Sequence, residues 1–385
     1  LIERPAEVAA HINQFIKEID PYRSTPDDAT HMLDVPELGI QKASVDFTKL
    51  PKVSHEAFTI FRATENKAGF NMHPYLTYHD GRFWAMWSSN TIRDLQAGQH
   101  ILYSTSVDGV KWSEARRVMA QEKEENMRYF ARGFWCREGQ LIALAAYDEA
   151  VRPLFGPGLE LRGYVWNADA NEWDKPIVVA DDTINNFPPK RLPSGEWMMS
   201  RRNHRMEKSM LIGGVDSASD WKKFPIAVPE DGARLDEPFW WQLPSGSLAA
   251  VFRDGSKSRR FYRAFSQDNG RTWDTPVKTD FPDATAKFNT LRFSDGRYAL
   301  VSNPNTSGKR NPICLSLSND GVVFDRMMIL QDTPTMYRYA GKDMGYAGYH
   351  YPQLLEHGDY LYVIYSENME DIILMRILLA DLAEH

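Results

Sequence analysis

Six times along the chain, an apolar run, a polar turn ending in glycine and a second apolar run follow one another. The turns are Tyr78-His79-Asp80-Gly81, Cys136-Arg137-Glu138-Gly139, Leu192-Pro193-Ser194-Gly195, Leu243-Pro244-Ser245-Gly246, Phe293-Ser294-Asp295-Gly296 and Leu355-Glu356-His357-Gly358. Their glycines stand 50 to 62 residues apart. Short apolar runs broken by such turns read as antiparallel strands, with glycine supplying the positive φ of the hairpin. Four short strands per unit at this period predict an all-β chain folded as a six-bladed β-propeller. The run Glu56 to Arg62 is an extra strand before the first unit, expected to close the ring as the outer strand of the last blade. A seventh blade built from residues 35–62 is the alternative count. Upstream, Val8, Ile12, Phe15, Ile16 and Ile19 follow helical spacing after Pro5, which predicts a short N-terminal helical extension. The expected organisation is thus a helix and extended lead-in over 1–54 and the propeller over 55–385.

A second repeat interleaves with the first. Ser266-Gln267-Asp268-Asn269-Gly270-Arg271-Thr272-Trp273 is its fullest copy; Ser106 to Trp112 and Ser318 to Phe324 are shorter ones. Asn167 to Trp173 and Asp216 to Trp221 are worn. Asp and Asn accept backbone hydrogen bonds in a tight turn, and the aromatic packs back under the sheet. The pattern resembles the Asp-box of sialidases and other BNR-repeat β-propellers.

Composition changes this picture little. Of 385 residues, 43% are hydrophobic and 25% charged, which are globular values. The net charge of −7 argues against a nucleic-acid surface. No apolar run is long enough to span a membrane. Cys136 and Cys314 form no metal-type spacing, and no dinucleotide or phosphate fingerprint is present, so neither metal nor cofactor is expected. The eleven Trp and seventeen Tyr suit sheet cores, with sugar stacking as a further use.

In a propeller of this kind the glycine turns and Asp-boxes share one face. The inner strands therefore start on the other face, near the axis, where sites on rigid rings usually lie. Reading those starts and the ends of the second strands collects His73, Arg132, Asn186, Asp236, Glu237, Asn289, Tyr349, His350 and Tyr351, with Asp148, Arg202 and Arg253; Asp94 and Arg310 lie in the following loops. Any one of them is more often a loop hydrogen-bond partner than a ligand. Together they are a convergent set of carboxylates, cations and tyrosines.

Over roughly residues 55–380 the chain resembles the sialidase superfamily. Sialidases clamp a carboxylate with three arginines, use a Tyr/Glu pair as nucleophile and base, and an Asp as acid/base. The resemblance implies Glu237 as the glutamate, Arg253 and Arg310 as the second and third arginines, Tyr349 or Tyr351 as the tyrosine, and Asp94 as the aspartate. Met72 stands where the first arginine would be, and Met cannot hold a carboxylate. A true sialidase is therefore not expected; the chain looks closer to uncharacterised bacterial sialidase-like enzymes. His73 in Asn71-Met72-His73-Pro74 is similar instead to propellers that cleave uronate polysaccharides, for which His73, Arg132 and Tyr351 (or Tyr349) would be the working trio.

Two chemistries fit the set. Hydrolysis needs paired carboxylates, here Glu237 with Asp94, Asp148 or Asp236, and cations such as Arg202, Arg253 and Arg310 to hold an acidic sugar. β-Elimination needs a base and an acid near a neutralised uronate, here His73 and Tyr351. The expected activity is hydrolysis of an acidic glycan, with polysaccharide lyase or a non-catalytic glycan-binding propeller as alternatives. Arg132, Asn186, Asn289 and His350 are further substrate-binding candidates. The expected partner is carbohydrate, with self-association through the N-terminal helix as a further expectation. The resemblance favours a periplasmic or secreted protein.

Overall fold

The computed structural model describes residues 28–40, 44–119, 126–150, 154–339 and 347–382. Within them the chain folds into six antiparallel sheets arranged as propeller blades. Blade one runs through Phe70–His79, Arg82–Asn90, His100–Ser106 and Arg116–Arg117. Blade two comprises Met127–Arg137, Gln140–Glu149 and Glu160–Asn167, with its outer edge divided between Glu172–Trp173 and Ile177–Asp181. Blade three is Lys190–Arg191, Trp197–Arg202, Lys208–Gly213 and Trp221–Pro225. Blade four is Leu235–Gln242, Leu248–Asp254, Arg260–Ser266 and Val277–Pro282; blade five is Asn289–Arg292, Tyr298–Ser302, Ile313–Ser318 and Arg326–Gln331. Blade six uses Tyr349–His357, Tyr360–Glu367 and Asp371–Leu378, and takes its outer strand, Glu56–Phe61, from the start of the chain.

That closure settles the blade count at six. Residues 35–62 form no seventh blade: their second half completes blade six, and Gly39–Ile40 pairs with Val45–Asp46 as a small separate hairpin. The expected helix over Pro5 to Asp20 lies outside the described residues. The described lead-in packs onto the propeller. Met32, Leu33, Val35, Leu38 and Leu50 join the largest apolar core, and the buried Arg263 guanidinium donates to the carbonyls of Ala29, His31 and Val322.

Blades stack face to face, so both faces of the middle strands are buried. This is why Tyr360–Glu367 reads as a nearly unbroken apolar run rather than an alternating one. The inner strands are tied around the axis by hydrogen bonds between blades. Leu76 N–H donates to Gln353 Oε1 at 2.7 Å, Leu354 N–H to Asn289 Oδ1 at 3.0 Å, and Asn185 Nδ2 to the Arg132 carbonyl at 3.1 Å. All six turn glycines hold φ between 58° and 95°, where a Cβ would be strained.

The Asp-boxes are structural. Asp268 Oδ1 accepts from the backbone N–H groups of Arg271 and Thr272 at 3.0 and 2.8 Å, and Trp273 Nε1 closes the turn on the Gly270 carbonyl at 2.9 Å. Asp108 and Asp320 repeat the arrangement.

Candidate active site

A shared irregularity builds the axial site. In blades one, two, four and six the inner strand slips register once, near its start. The breaks fall between Met72 and Tyr75, Ala131 and Phe134, Asp236 and Phe239, and His350 and Gln353. At each, two residues oppose one on the neighbouring strand, a β-bulge, which re-aims the side chain there. The first residues of the four bulges are His73, Arg132, Glu237 and Tyr351. His73, Glu237 and Tyr351 take the left-handed φ themselves, at 56°, 46° and 55°; in blade two Gly133 takes it, at 99°. Each left-handed non-glycine residue costs about 1–2 kcal/mol and is followed by proline: Pro74, Pro238 and Pro352. Proline disfavours right-handed helical geometry in the residue before it and has no N–H for the ladder, so bulge and sequence agree.

The bulged side chains converge. The rings of His73 and Tyr351 meet edge to face with centroids 4.7 Å apart. Glu237 forms an ion pair with Arg253. Arg310 lies 5.5 Å from the centre of the Tyr351 ring, and its Nη1 is 2.7 Å from His350 Nδ1. Lys287, at the start of blade five, lies 5.5 Å from the same ring centre and donates to Tyr75 Oη at 2.8 Å. Arg202 grips Asp236 through Nη1, at 2.7 and 2.6 Å from its two oxygens.

Cations outnumber carboxylates here, and burial and these cations compete at each titratable group. Burial pushes Glu237 up, but Arg253, Lys287, Arg202 and Arg132 override it and hold the carboxyl well below its usual range. Asp94 moves the other way. Protein surrounds its carboxyl on most sides although the residue keeps an opening to solvent, and this burial raises its pKa against the pull of the Leu95 N–H and Arg132. Burial, then Arg132, Lys287, Arg202 and Arg310, push His73 far down, so the imidazole is neutral. Tyr351 is raised by burial and by Glu237, with Arg253 and Arg310 opposing. Beside Glu237, on the side of blades two and three, runs a crevice of about 20 Å³ lined by Arg132, Asn186, Arg202, Lys208 and Asp236 as well. Among the described residues, Nε of Arg132, Arg202 and Arg253 and Oδ1 of Asn186 are buried without a partner. Buried polar atoms are normally satisfied, so these four can still accept a partner.

The structure thus brings together His73, Asp94, Arg132, Asn186, Arg202, Glu237, Arg253, Arg310, His350 and Tyr351. It leaves three expected residues outside. Tyr349 points into the core between blades five and six, against Tyr365, with its hydroxyl on the Thr333 carbonyl at 2.7 Å. Asp148 is fully buried against Arg128 at 2.7 Å and also accepts the Gly156 N–H, so its carboxylate is consumed structurally. Asn289 bridges blades five and six through Leu354. Met72, expected at the place of a first arginine, lies in an apolar cluster with Phe70 and Met369, and His73 takes the projecting position.

Two site groups escape the sequence reading. Lys287 stands two residues before Asn289, ahead of the strand start the pattern suggests. Asp283, whose burial outweighs the Ala286 N–H and Arg253 and Arg310 and raises its pKa to about 7, lies in the crossover before it. The His-Pro, Glu-Pro and Tyr-Pro pairs at inner-strand starts were the available signal for the bulges.

The sequence profile of the BNR repeat-like domain family matches residues 55–363. The chain belongs to that family. No curated protein sequence matches it. Among solved structures, a protein described as a sialidase matches 86% of the chain at 20% identity and a TM-score of 0.63, although this BNR-family chain spans 33% of that protein's length. The NanB sialidase from Streptococcus pneumoniae matches 84% of the chain and 70% of its own length at 14% identity and a TM-score of 0.64. A protein of unknown function from Dyadobacter fermentans matches 86% of the chain over its whole length, at 15% identity and a TM-score of 0.65. At these identities the likeness establishes the sialidase-like propeller fold, and the chemistry must be argued from the site.

Proposed function

We propose that this BNR propeller is a glycoside hydrolase acting on an acidic, uronate-containing glycan. The observation that carries the reading is the divergence of two carboxyl groups on one axial site. Asp94 is pushed toward its protonated form and Glu237 is held ionised. Environments that drive two titratable groups apart assign an acid and a base. Asp94 donates a proton to the glycosidic oxygen. Tyr351 Oη attacks the anomeric carbon while Glu237 accepts the phenolic proton, for which the base is needed because Tyr351 does not ionise by itself. Water then attacks the anomeric carbon, giving its proton to Asp94, while the bond to Tyr351 Oη breaks and Glu237 returns the phenolic proton. Arg253, Arg310 and Lys287 supply the positive field for the sugar carboxylate.

A second reading rests on the neutral His73 against Tyr351. Ringed by cations that would neutralise a uronate, His73 as base and Tyr351 as acid would support β-elimination.

Digestion of a panel of uronate polysaccharides separates the readings. Hydrolysis releases reducing sugar without the ultraviolet absorbance of an unsaturated uronate, and Glu237→Gln lowers kcat by about 100-fold or more. Absorbance that rises with reducing sugar and vanishes in His73→Ala makes the protein a lyase. Glycan binding without either product leaves a binding propeller.

A further inference from the structure

A larger cavity opens beside the axial crevice, in the seam between blades three and four. It holds about 530 Å³. One wall is the turn and strand Arg205 to Ser209; the other is the connection from Pro225 to Leu235. Arg201 and Lys208 line both spaces, so groove and crevice share a wall.

The chemistry of the groove is uneven in a useful way. Arg205, Lys208, Lys223 and Arg234 present four cations, and among the described residues none has a carboxylate within ion-pair distance. Arg201 is different, since Asp182 pairs with it at 3.3 Å. The one acid in the lining, Glu207, is bonded to Asn203 Nδ2 at 2.8 Å. This cationic strip stands on a protein of net charge −7, so it is placed rather than a consequence of composition. Lys208 marks the junction: burial lowers its pKa, Asp236 opposes, and Arg202 on the axis and Arg234 in the groove both push it further down. The accessible apolar surface comes from Ile226, Ala227 and Val228, the last 74% exposed, backed by the buried Leu235 and Phe252. An apolar surface between rows of unpaired cations suits a sugar chain, whose C–H faces lie on it while carboxylates reach the rims.

We propose that the groove binds the continuation of a linear polyuronate chain whose cleaved residue sits on the axis. The protein then acts on polymers rather than on single terminal sugars. This rests on the axial site being a glycan site, but the groove can be tested without turnover.

The probes are monomeric galacturonate, oligogalacturonates of increasing length and neutral malto-oligosaccharides of matching length, titrated calorimetrically. Affinity for oligogalacturonates is expected to rise with length and fall with salt, with neutral chains binding more weakly. Arg205→Glu/Lys223→Glu reverses two exposed cations. It should weaken long-chain binding about tenfold and leave monomer binding unchanged. Arg253→Ala should do the reverse for the monomer. Length-independent affinity, equal binding of neutral chains, or an unaffected double variant would overturn the groove. Long-chain binding sensitive to the double variant but indifferent to Arg253→Ala would keep the groove and sink the axial reading.

Discussion

At the residue scale the decisive facts are protonation states. In the proposed reaction Asp94 works as an acid and must be protonated, and its raised pKa keeps it so further toward neutrality than an ordinary aspartate. Activity should therefore fall as pH rises through the pKa of Asp94, while the acid limb, set by the depressed Glu237, lies far below. Asp94→Asn should remove most of kcat for sugars with poor leaving groups and erase the alkaline limb, as a pH–rate profile would show. Asp283 makes a separate prediction about stability. Its folded pKa of about 7 lies above the unfolded carboxylate value, so in between the native state holds a proton that the unfolded chain has lost. That contribution is complete below the unfolded pKa and declines as pH rises toward the folded one. Asp283→Asn should flatten the fall in melting temperature between mildly acid and mildly alkaline buffer; an unchanged slope would count against it.

At the scale of elements, turns hold the frame and bulges make the site. Removing the Asp268 carboxylate strands the N–H groups of Arg271 and Thr272, so Asp268→Ala should cost about 1–3 kcal/mol with activity intact per folded molecule. Burial pushes Asp268 up, but hydrogen bonds from Thr272, Ser266 and Arg271 win and depress it. Its stabilisation is present above the unfolded carboxylate pKa and disappears as pH falls through the folded one. The gap between wild type and variant in thermal melts should close in acid. The bulges explain why Tyr351 and not Tyr349 faces the axis. In an unbroken strand, residues two apart share a face. The extra residue at Tyr351 breaks that parity and sends the two rings to different places.

At the scale of the whole molecule, the ring is closed by a strand borrowed from the start of the chain. Glu56–Phe61 pairs with Asp371–Leu378, and Ile60 packs in the core shared with Trp87, Ile372 and Leu374. Closure removes an edge that would otherwise be open to other chains. Ile60→Ala should cost about 2–5 kcal/mol, and hydrogen exchange should show Asp371–Leu378 opening before blades three and four. Uniform loss of protection around the ring would show that closure is not a separable step.

The repeat of glycine turns and Asp-boxes specified six blades, and the apolar run Glu56 to Arg62 specified the closing strand. Those features are local: a turn needs its own residues, and a buried strand needs its own apolar run. The sequence also carried the types of the axial residues, because inner-strand starts can be found by offset from the turns. Which of them meet was decided by tertiary structure. Arg128, twenty residues from Asp148 in the chain, consumes that carboxylate across a strand pair. Lys287 reaches the axis because blade five starts late. The opposite pKa shifts of Asp94 and Glu237 belong to neither residue type, since both are carboxylic acids. They arise from burial and from cations that four blades contribute to one point, and such a sum exists once the ring has closed.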